Sequence, residues 1–418
     1  MSPEIDEGKE YIGYRDALAL VLANALPVGV ETLGVDSCVG MVAAEDVVAL
    51  VNTPTHNMSL KDGFAVRSED VALASPDQPV RLRVIGSGFA GHRYEGTVTP
   101  GTAVRILSGS PLPQGADSII SGEFCDEVAT EVYVKADAGK ERNIFPAGGD
   151  VKAGTVIAEK GQALLPARLG LIAAGGVDRV KVYKRPDAAL LGIGDEVVAP
   201  GQKLSDGQLY ASNLVNVSAW LSAFGISNHM ALAGDSGEAI QQELLRCFSR
   251  ADVIMTSGGA WGSERDLVVG VLDELGWRIL FHHVRIGPGK GIVFGLWQNK
   301  PVFCLPGGPP SNQMAFLQLA LPGVLKMAGH IGTALPTATA TLTEDIRRRH
   351  PAWTEFRSGK LARNSDGDYA VTPYSETSRL KSMAETTCFI CLPEGIESLK
   401  KGQRVTVQMV VPCNNLSF

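Results

Sequence analysis

The chain has no excess of positive charge and few aromatic side chains. Its 418 residues include 38 Lys and Arg against 45 Asp and Glu, a net charge of −7, and aromatic residues make up 6%. A general nucleic-acid or membrane-surface binder needs a basic face, and a base-stacking surface needs exposed aromatic rings. We therefore expect no nucleic-acid partner and no membrane partner.

Long hydrophobic runs and a disulfide pattern are also missing. No apolar stretch reaches the roughly 18–20 residues that span a bilayer, and the polar, acidic residues 1–7 are not expected to act as a signal peptide. The seven cysteines are scattered and odd in number, which favours a reducing cytoplasm. Cys388 and Cys391 form a CxxC, but on a strand positions i and i+3 face opposite sides. We expect no metal or redox site there.

Apolar residues make up 45% of the chain, enough for packed cores in two to four domains of roughly 150 residues. Residues 14–26 predict an amphipathic helix. Strands and helices then alternate after residue 186, which indicates a mostly parallel sheet with helices on both faces. The fold class is thus α/β multidomain. The predicted division is a discontinuous N-terminal, small α+β linker domain (1–52 and 149–185), a β-rich inserted domain (53–148), a three-layer α/β/α domain (186–333) and a C-terminal β-barrel domain (334–418).

Glycine-rich turns follow the predicted strands of the α/β domain. In such sheets ligands bind beyond the carboxyl ends of the strands, where glycines let backbone N–H groups approach an anion and a helix N-terminus adds positive dipole. Four such turns together indicate a phosphorylated or anionic ligand, although none matches a P-loop or a dinucleotide fingerprint. They lie at 192–196, 257–263, 287–291 and 305–311.

Carboxylates stand in or beside these turns. They would repel a bound phosphate unless a cation bridged them, and Mg²⁺ suits that arrangement because it needs few protein oxygens. The residues therefore predict a Mg²⁺-assisted reaction on a phosphate compound. The carboxylates are Asp195, Glu196, Asp235, Glu264 and Asp266.

Structural roles for the same residues remain open. Asp235 stands three residues before Glu238, as an N-cap residue stands in a capping box, and Ser263 has the same relation to Asp266. Asp62 and the glycine after it could form a plain turn.

Seven motifs, in order over about residues 12–415, resemble the molybdopterin molybdenumtransferase family, which comprises the MoeA proteins and the gephyrin E domain. Three motifs lie in the first 150 residues: S-A-M-D-G-Y-A-V is matched at 59–67, R-I-M-T-G-A-P-V-P with G-A-D at 105–117, and N-I-R-x-x-G-E-D at 143–150. Four more lie in the predicted α/β domain: T-G-D-E-L with S-N is matched at 194–197 with Ser212-Asn213, S-G-G-V-S-V-G-x-x-D at 256–266, P-G-K-P at 288–290, and L-P-G-N-P-V-S at 305–311.

The resemblance implies an elongated cytoplasmic homodimer of four-domain subunits. Its substrate would be adenylylated molybdopterin, and with Mg²⁺ and molybdate (or tungstate) it would release AMP and place the metal on the dithiolene. The adenylyltransferase of the same pathway and molybdoenzyme chaperones are suggested as further partners.

The resemblance also implies roles by position. Glu196, Asp235 and Asp266 would hold Mg²⁺. Asp62 and Asp150 would approach from the β-rich half of the partner subunit and, with Asp266 and Lys290, take part in catalysis. The implied substrate-binding residues are Ser108, Ser257, Gly258, Gly259, Pro306 and Pro309, with Lys290, Ser311 and Ser378 forming an oxyanion pocket, since lysine and hydroxyl donors suit a tetrahedral dianion.

The sequence departs from the motifs around this site. Trp261-Gly262-Ser263 replaces S-V-G, Gly291 replaces Pro, and Gly308 replaces Asn. Phe356-Arg357-Ser358 stands where the family has F-x-R, and because one residue flips the face of a strand, we expect Arg357 to point away from the oxyanion. Two alternatives to an insertase follow. One is a non-catalytic carrier or scaffold for molybdopterin or its metal-loaded form, and the other is a transferase or hydrolase of another pterin or nucleotide diphosphate.

Overall fold

The computed structural model describes residues 11–136, 138–258, 267–348, 350–363, 367–374 and 379–410. These residues form three large sheets and several two-stranded ladders, and they include helices on both faces of one sheet and a closed barrel of five strands. The α/β multidomain fold class predicted from the sequence is confirmed.

The central sheet of the α/β part has six strands. Its first four strands are paired in parallel, and the fifth strand runs antiparallel to both of its neighbours. The carboxyl ends of the four parallel strands therefore meet at one edge. The glycine-rich turns at 192–196, 257–263 and 305–311 begin there, whereas the 287–291 turn follows Val284–Gly287 outside this sheet. In spatial order the strands are Asn228–Ala233, Ala188–Ile193, Val253–Ser257, Lys300–Leu305, Val293–Trp297 and Arg278–His282.

Helices pack on both faces of this sheet because its side chains alternate between two apolar cores. Leu190 packs into one core and its neighbour Leu191 into the other. The first face carries helices Ser212–Ala223, Pro309–Ala315 and Leu321–Met327, with a π-helical turn at Phe316–Ala320, and the second carries Gly237–Arg250 and Leu267–Glu274.

The N-terminal helix Tyr14–Asn24 packs on the first face of the α/β sheet. Its fully buried Ala17 and Val21 belong to the same apolar core as that face. A Cβ on Gly323 would lie 2.9 Å from the Val21 side chain, so the glycine permits the close approach of the two helices. The sequence analysis grouped this helix with the N-terminal domain, whereas its packing ties it to the α/β part.

The β-rich part contains a second six-stranded sheet. Only one neighbouring pair, Val80–Gly88 with Thr102–Ile106, runs parallel. Its strands lie in the order Ser118–Ser121, Gly63–Val66, Thr102–Ile106, Val80–Gly88, Glu131–Val134 and Cys125–Val128.

Short elements connect these parts. Three two-stranded ladders pair antiparallel, and helix Pro166–Ala174 buries Ile172 in the core between two of them. The ladders are Val30–Gly34 with Arg179–Tyr183, Val47–Val48 with Val156–Ala158, and Met58–Ser59 with Ile144–Phe145. The 3₁₀ turns are Val35–Ser37, Ser68–Val71 and Gly122–Phe124.

The C-terminal barrel closes because strand Thr354–Arg363 pairs with two others, Tyr369–Pro373 and Cys388–Leu392. Strand Val284–Gly287 of the α/β part pairs in parallel with the start of Thr354–Arg363. The other edge of Val284–Gly287 pairs with Ile12–Gly13. The barrel is thereby held beside the 287–291 turn. Its remaining strands are Thr337–Leu342 and Arg404–Met409, accompanied by Ile346–Arg347, Ser398–Leu399 and helix Arg379–Glu385.

The two cysteines of the CxxC face opposite sides of their strand, as predicted. Cys388 packs in the barrel core, whereas Cys391 packs against the α/β core. Burial raises the pKa of Cys388 to about 12 and that of Cys391 to about 11. Both side chains are therefore protonated thiols at neutral pH, a form that does not bind metals well.

Candidate functional site

A cavity of about 240 Å³ opens at the carboxyl edge of the α/β sheet. It collects four residues that the sequence analysis assigned to the site, namely Glu196, Ser257, Gly258 and Pro309. The complete lining is Ile193, Glu196, Val197, Leu209, Tyr210, Ala211, Ser212, Asn213, Leu214, Ser257, Gly258, Gly307 and Pro309.

Gly258 joins three of the turns around this cavity. Its φ is +94°, a conformation that glycine adopts readily and other residues avoid. A Cβ at this position would lie 2.6 Å from the carbonyl oxygen of Ile193, and the Gly258 N–H donates to the Leu305 carbonyl at 3.4 Å. Backbone from three strand ends therefore meets here without side chains between.

Ser257 lies at the floor of the cavity and binds two asparagine side chains. Its Oγ accepts from Nδ2 of Asn213 at 3.2 Å and from Nδ2 of Asn312 at 3.0 Å. Asn312 also donates to the carbonyl of Pro306, the predicted site residue in the neighbouring turn, at 2.9 Å. Asn312 was missed by the sequence analysis. The only signal for it in the sequence is that it is a polar residue in the first turn of an apolar helix.

Two carboxylates lie side by side at the same edge. Asp195 and Asp235 each follow a strand end by two residues, and those ends, Ile193 and Ala233, are paired in register. The N–H of Asp235 donates to Oδ1 of Asp195 at 3.1 Å, and the N–H of Asp195 donates to Oδ2 of Asp235 at 3.4 Å. Glu196 folds back so that a Cβ on Gly194 would lie 2.3 Å from its Oε2.

The N-cap role considered for Asp235 is wrong. Ser236 caps helix Gly237–Arg250, with its Oγ accepting from the N–H of Ala239 at 3.2 Å. Asp235 therefore keeps one carboxylate oxygen that makes no backbone bond within the described residues.

The carboxylates of Asp195, Glu196 and Asp235 are ligands of the type that Mg²⁺ prefers, and Mg²⁺ needs only one or two of them beside water and phosphate. In the described part of the chain, no three His, Cys, Asp or Glu side chains are arranged to hold a metal ion. Asp266, the third predicted ligand, lies outside the described residues, as do Gly259, Trp261 and the Ser263 cap.

A second group of predicted residues comes together in the β-rich part. Oδ1 of Asp62 accepts from the N–H of Ser108 at 2.7 Å, although the two residues are 46 positions apart. The Asp62 carboxylate thus binds the loop at Ser108, so Asp62 does more than form the plain turn considered in the sequence analysis. Asp150 is exposed and tied by its N–H to the Thr53 carbonyl at 2.9 Å. All lining residues of the cavity come from 193–309, so this group lies outside the lining.

A second pocket, of about 430 Å³, lies between the 287–291 turn and the barrel. Nζ of Lys290 is 5.9 Å from the centre of the Trp353 ring, which is part of the pocket wall. Ser311 lies nearby, because a Cβ on Gly289 would be 3.3 Å from its carbonyl oxygen. Ser378 lies outside the described residues. The pocket is lined by Gly287, Pro288, Arg347, His350, Trp353, Glu355 and Arg357.

Arg357 lies beside the 287–291 turn. Its side chain lines the pocket together with Gly287 and Pro288, and its Nε donates to Glu355 at 3.0 Å. The reason is the parallel pairing of Gly287 with Glu355, which places the face of Glu355 and Arg357 beside the turn. Two arginines, Arg347 and Arg357, therefore make this pocket cationic around a single carboxylate.

The described helices include none that is long and apolar enough to cross a membrane.

Three family models match successive parts of the chain: the MoeA N-terminal region (domains I and II) over residues 12–176, the probable molybdopterin binding domain over 189–326, and the MoeA C-terminal region (domain IV) over 339–410.

Similar proteins cover nearly the whole chain. The Haemophilus influenzae molybdopterin molybdenumtransferase is 29% identical over 395 residues, 93% of this chain and 95% of its own, and the Staphylococcus aureus protein of that name is 27% identical over 406 residues, 96% of each. A crystal structure of the Pyrococcus horikoshii molybdopterin biosynthesis protein MoeA matches with 30% identity, a TM-score of 0.80, and coverage of 96% of this chain and 99% of that one.

Proposed function

The chain belongs to the MoeA family of molybdenum cofactor biosynthesis, whose curated members are named molybdopterin molybdenumtransferases, and on that premise we propose that it inserts molybdenum into molybdopterin. The proposed substrate is adenylylated molybdopterin, the proposed second substrate is molybdate, and AMP is released. The observation that carries the proposal is the pairing of a cavity at the ends of the parallel strands with a separate cationic pocket.

The two pockets are connected by the start of one helix. Pro309 lines the cavity, Asn312 binds Ser257 on the cavity floor, and Ser311 lies next to Gly289 of the turn that borders the cationic pocket. A substrate with a phosphate end and a dithiolene end can therefore lie in the cavity with its sulfurs toward the oxyanion. Holding both reactants in place removes much of the entropic cost of their reaction.

In the cavity, Ser257 binds an acceptor oxygen of the substrate, and Gly258 forms the wall beside it without a side chain. The carboxylates Glu196, Asp235 and Asp266 would hold Mg²⁺, which would supply positive charge to neutralise the phosphate oxygens. Water adds to the phosphoanhydride and AMP leaves, which frees the molybdopterin.

In the cationic pocket, Lys290 and Arg357 hold molybdate, with Ser311 and Ser378 as hydroxyl donors. Charged donors suit a tetrahedral dianion, and an arginine offers it a fork of N–H groups. Insertion exchanges molybdate oxygen for the two dithiolene sulfurs, and the displaced oxygen leaves as water with the thiol protons.

Asp62, Ser108 and Asp150 act from the β-rich part of a second subunit, so we propose a homodimer with shared sites. Their separation from the cavity lining supports this arrangement. Co-expression of an Asp62→Ala chain with a Glu196→Gln chain should then restore part of the activity that each variant lacks. Heterodimers that stay as inactive as both parents would contradict shared sites.

The Mg²⁺ role is tested by titrating Mg²⁺ in an AMP-release assay. Glu196→Gln should need at least tenfold more Mg²⁺ for half-maximal activity. Glu238→Gln is the matched control, because Glu238 is an exposed glutamate in the first turn of the adjacent helix. A Glu196→Gln enzyme with the Mg²⁺ dependence of the unaltered protein would remove Glu196 from the metal site.

The oxyanion pocket is tested with Arg357→Ala. Loss of a charged hydrogen bond costs about 1.5–3 kcal/mol, so the KM for molybdate should rise about 10- to 100-fold. Arg363→Ala is the control on the same strand, since Arg363 stacks on Tyr369 instead (4.9 Å). An unchanged molybdate KM in Arg357→Ala would place the oxyanion elsewhere.

A further inference from the structure

We infer that Ser257 can only donate a hydrogen bond to the ligand in the cavity, and that Asn213 and Asn312 impose this direction. The floor of the cavity is then a subsite for an acceptor oxygen, either a phosphate oxygen or a ring carbonyl. The identity of that ligand as part of the substrate rests on the proposed function, whereas the direction of the hydrogen bond rests on the geometry alone.

The orientation of both amides follows from the carbonyls that they touch. Asn312 lies 2.9 Å from the Pro306 carbonyl oxygen, and Asn213 lies 2.8 Å from the Gly307 carbonyl oxygen. A carbonyl only accepts, so the atom facing it must be the NH₂ group in each case. The same two NH₂ groups face Oγ of Ser257, at 3.0 and 3.2 Å.

A serine hydroxyl has two lone pairs and one hydrogen. Both lone pairs of Ser257 are occupied by the two amides, so the hydrogen is the only part of the hydroxyl left for another partner. Ser257 is 9% exposed and that exposure is to the cavity, whose wall it forms with Gly258 and Gly307. The hydrogen is therefore offered to whatever occupies the cavity.

The burial of Asn312 supports a role in setting this direction. The residue is fully buried, and its Oδ1 has no hydrogen-bond partner among the described residues. A buried polar atom without a partner is costly, about 1–3 kcal/mol. An amide that makes both of its bonds through NH₂ serves here as a double donor, to the Pro306 carbonyl and to Ser257.

Such a site selects ligands by the direction of their hydrogen bond. A ligand that presents an acceptor oxygen completes the network, whereas one that presents an N–H or O–H would meet the Ser257 hydrogen. Sites built around one hydrogen-bond direction reject the wrong partner strongly, because a buried group is otherwise left unpaired.

The test reverses the direction with Asn312→Asp. A carboxylate accepts from Ser257, which turns the hydroxyl hydrogen away from the cavity. The probes are inorganic pyrophosphate and unsubstituted pterin, titrated by calorimetry and by pterin fluorescence. The probe whose oxygen occupies the subsite should bind about 10- to 100-fold more weakly at pH 8. Weaker binding of pyrophosphate would identify the ligand atom as a phosphate oxygen, and weaker binding of pterin would identify it as the ring carbonyl.

Two further signatures separate this role from a structural one. Burial raises the pKa of the introduced Asp, so at lower pH its protonated carboxyl donates again, and the affinity ratio to the unaltered protein should approach one. In a Ser257→Ala background the Asn312→Asp change should have no further effect on binding, because the hydroxyl that transmits it is gone.

Asn228→Asp is the matched control. Asn228 also donates through Nδ2 to a serine, Ser222 (3.1 Å), and to a carbonyl, that of Ile226 (3.2 Å), but it lies at the amino edge of the sheet. Its variant should keep the affinity for both probes. If Asn312→Asp does not fold, Asn213→Asp tests the same prediction at a less buried position.

Unchanged affinity in Asn312→Asp, or an equal loss in the presence and absence of the Ser257 hydroxyl, would overturn the inference while leaving the proposed function in place. An unaltered protein that binds neither probe would overturn both, because the cavity would then not be a substrate cavity.

Discussion

Replacing Gly258 with alanine tests whether the strand-end turns must meet without side chains. The change has two costs. The positive φ of +94° is unfavourable for any residue with a Cβ, by about 1–2 kcal/mol. In addition, the new Cβ would lie 2.6 Å from the Ile193 carbonyl oxygen, and such overpacking typically costs about 1–3 kcal/mol.

Gly276→Ala carries the first cost alone, so the difference between the two variants measures the second. Gly276 also has a positive φ, +80°, but a Cβ there would meet no atom within 4 Å. We therefore expect a loss of about 1–2 kcal/mol for Gly276→Ala and about 2–5 kcal/mol for Gly258→Ala. Only Gly258→Ala should also weaken pyrophosphate binding, because Ser257 is displaced with the turn.

The assay is urea unfolding followed by tryptophan fluorescence. Trp277 and Trp297 are both buried in one core of the α/β part, so the signal reports on the sheet that carries the cavity. Equal losses of stability in the two variants, with pyrophosphate affinity retained, would show that the turns do not need the contact at Gly258.

Three further predictions concern other parts of the molecule. Asp62→Ala should lower the unfolding free energy by about 1 kcal/mol, since the acceptor for the Ser108 N–H is lost, whereas Asp62→Asn should retain most of it; equal losses in urea unfolding would contradict this. Burial lowers the pKa of His330, so the unfolded chain takes up that proton more readily and stability should fall as the pH drops below about 6.5. His330→Asn should flatten this fall in urea midpoints measured from pH 7 to 5, and an unchanged slope would exclude His330 as its source. Cys388 and Cys391, with pKa values raised by burial to about 12 and 11, should react with a thiol reagent at pH 8 only after denaturation, and rapid labelling of either in the native protein would disprove their burial.

Local patterns predicted the α/β part well because its elements are long and regular. The alternation of strands and helices expected after residue 186 was found, for example in strand Ala188–Ile193 and helix Gly237–Arg250. The glycine turns that begin at 192, 257 and 305 were placed correctly at ends of the parallel strands, whereas the 287–291 turn follows Val284–Gly287, which pairs with the barrel instead.

The failures involve contacts between distant residues. Alternation along one strand could not show that Arg357 lies beside the 287–291 turn, because that placement is decided by the pairing of Gly287 with Glu355, 68 positions later. Asn312 could not be assigned from the sequence, since its partner Ser257 is 55 positions away. The Asp62–Ser108 bond likewise joins loops whose meeting depends on the whole β-rich sheet.

The central claim is that this chain couples cleavage of adenylylated molybdopterin to metal insertion. The most direct measurement is AMP release by the purified protein with Mg²⁺, compared without oxyanion, with molybdate and with tungstate. The account predicts release that depends on an oxyanion and that needs more of it in Arg357→Ala. Tight binding of the substrate with no AMP release under any of these conditions would contradict the account and identify the protein as a carrier.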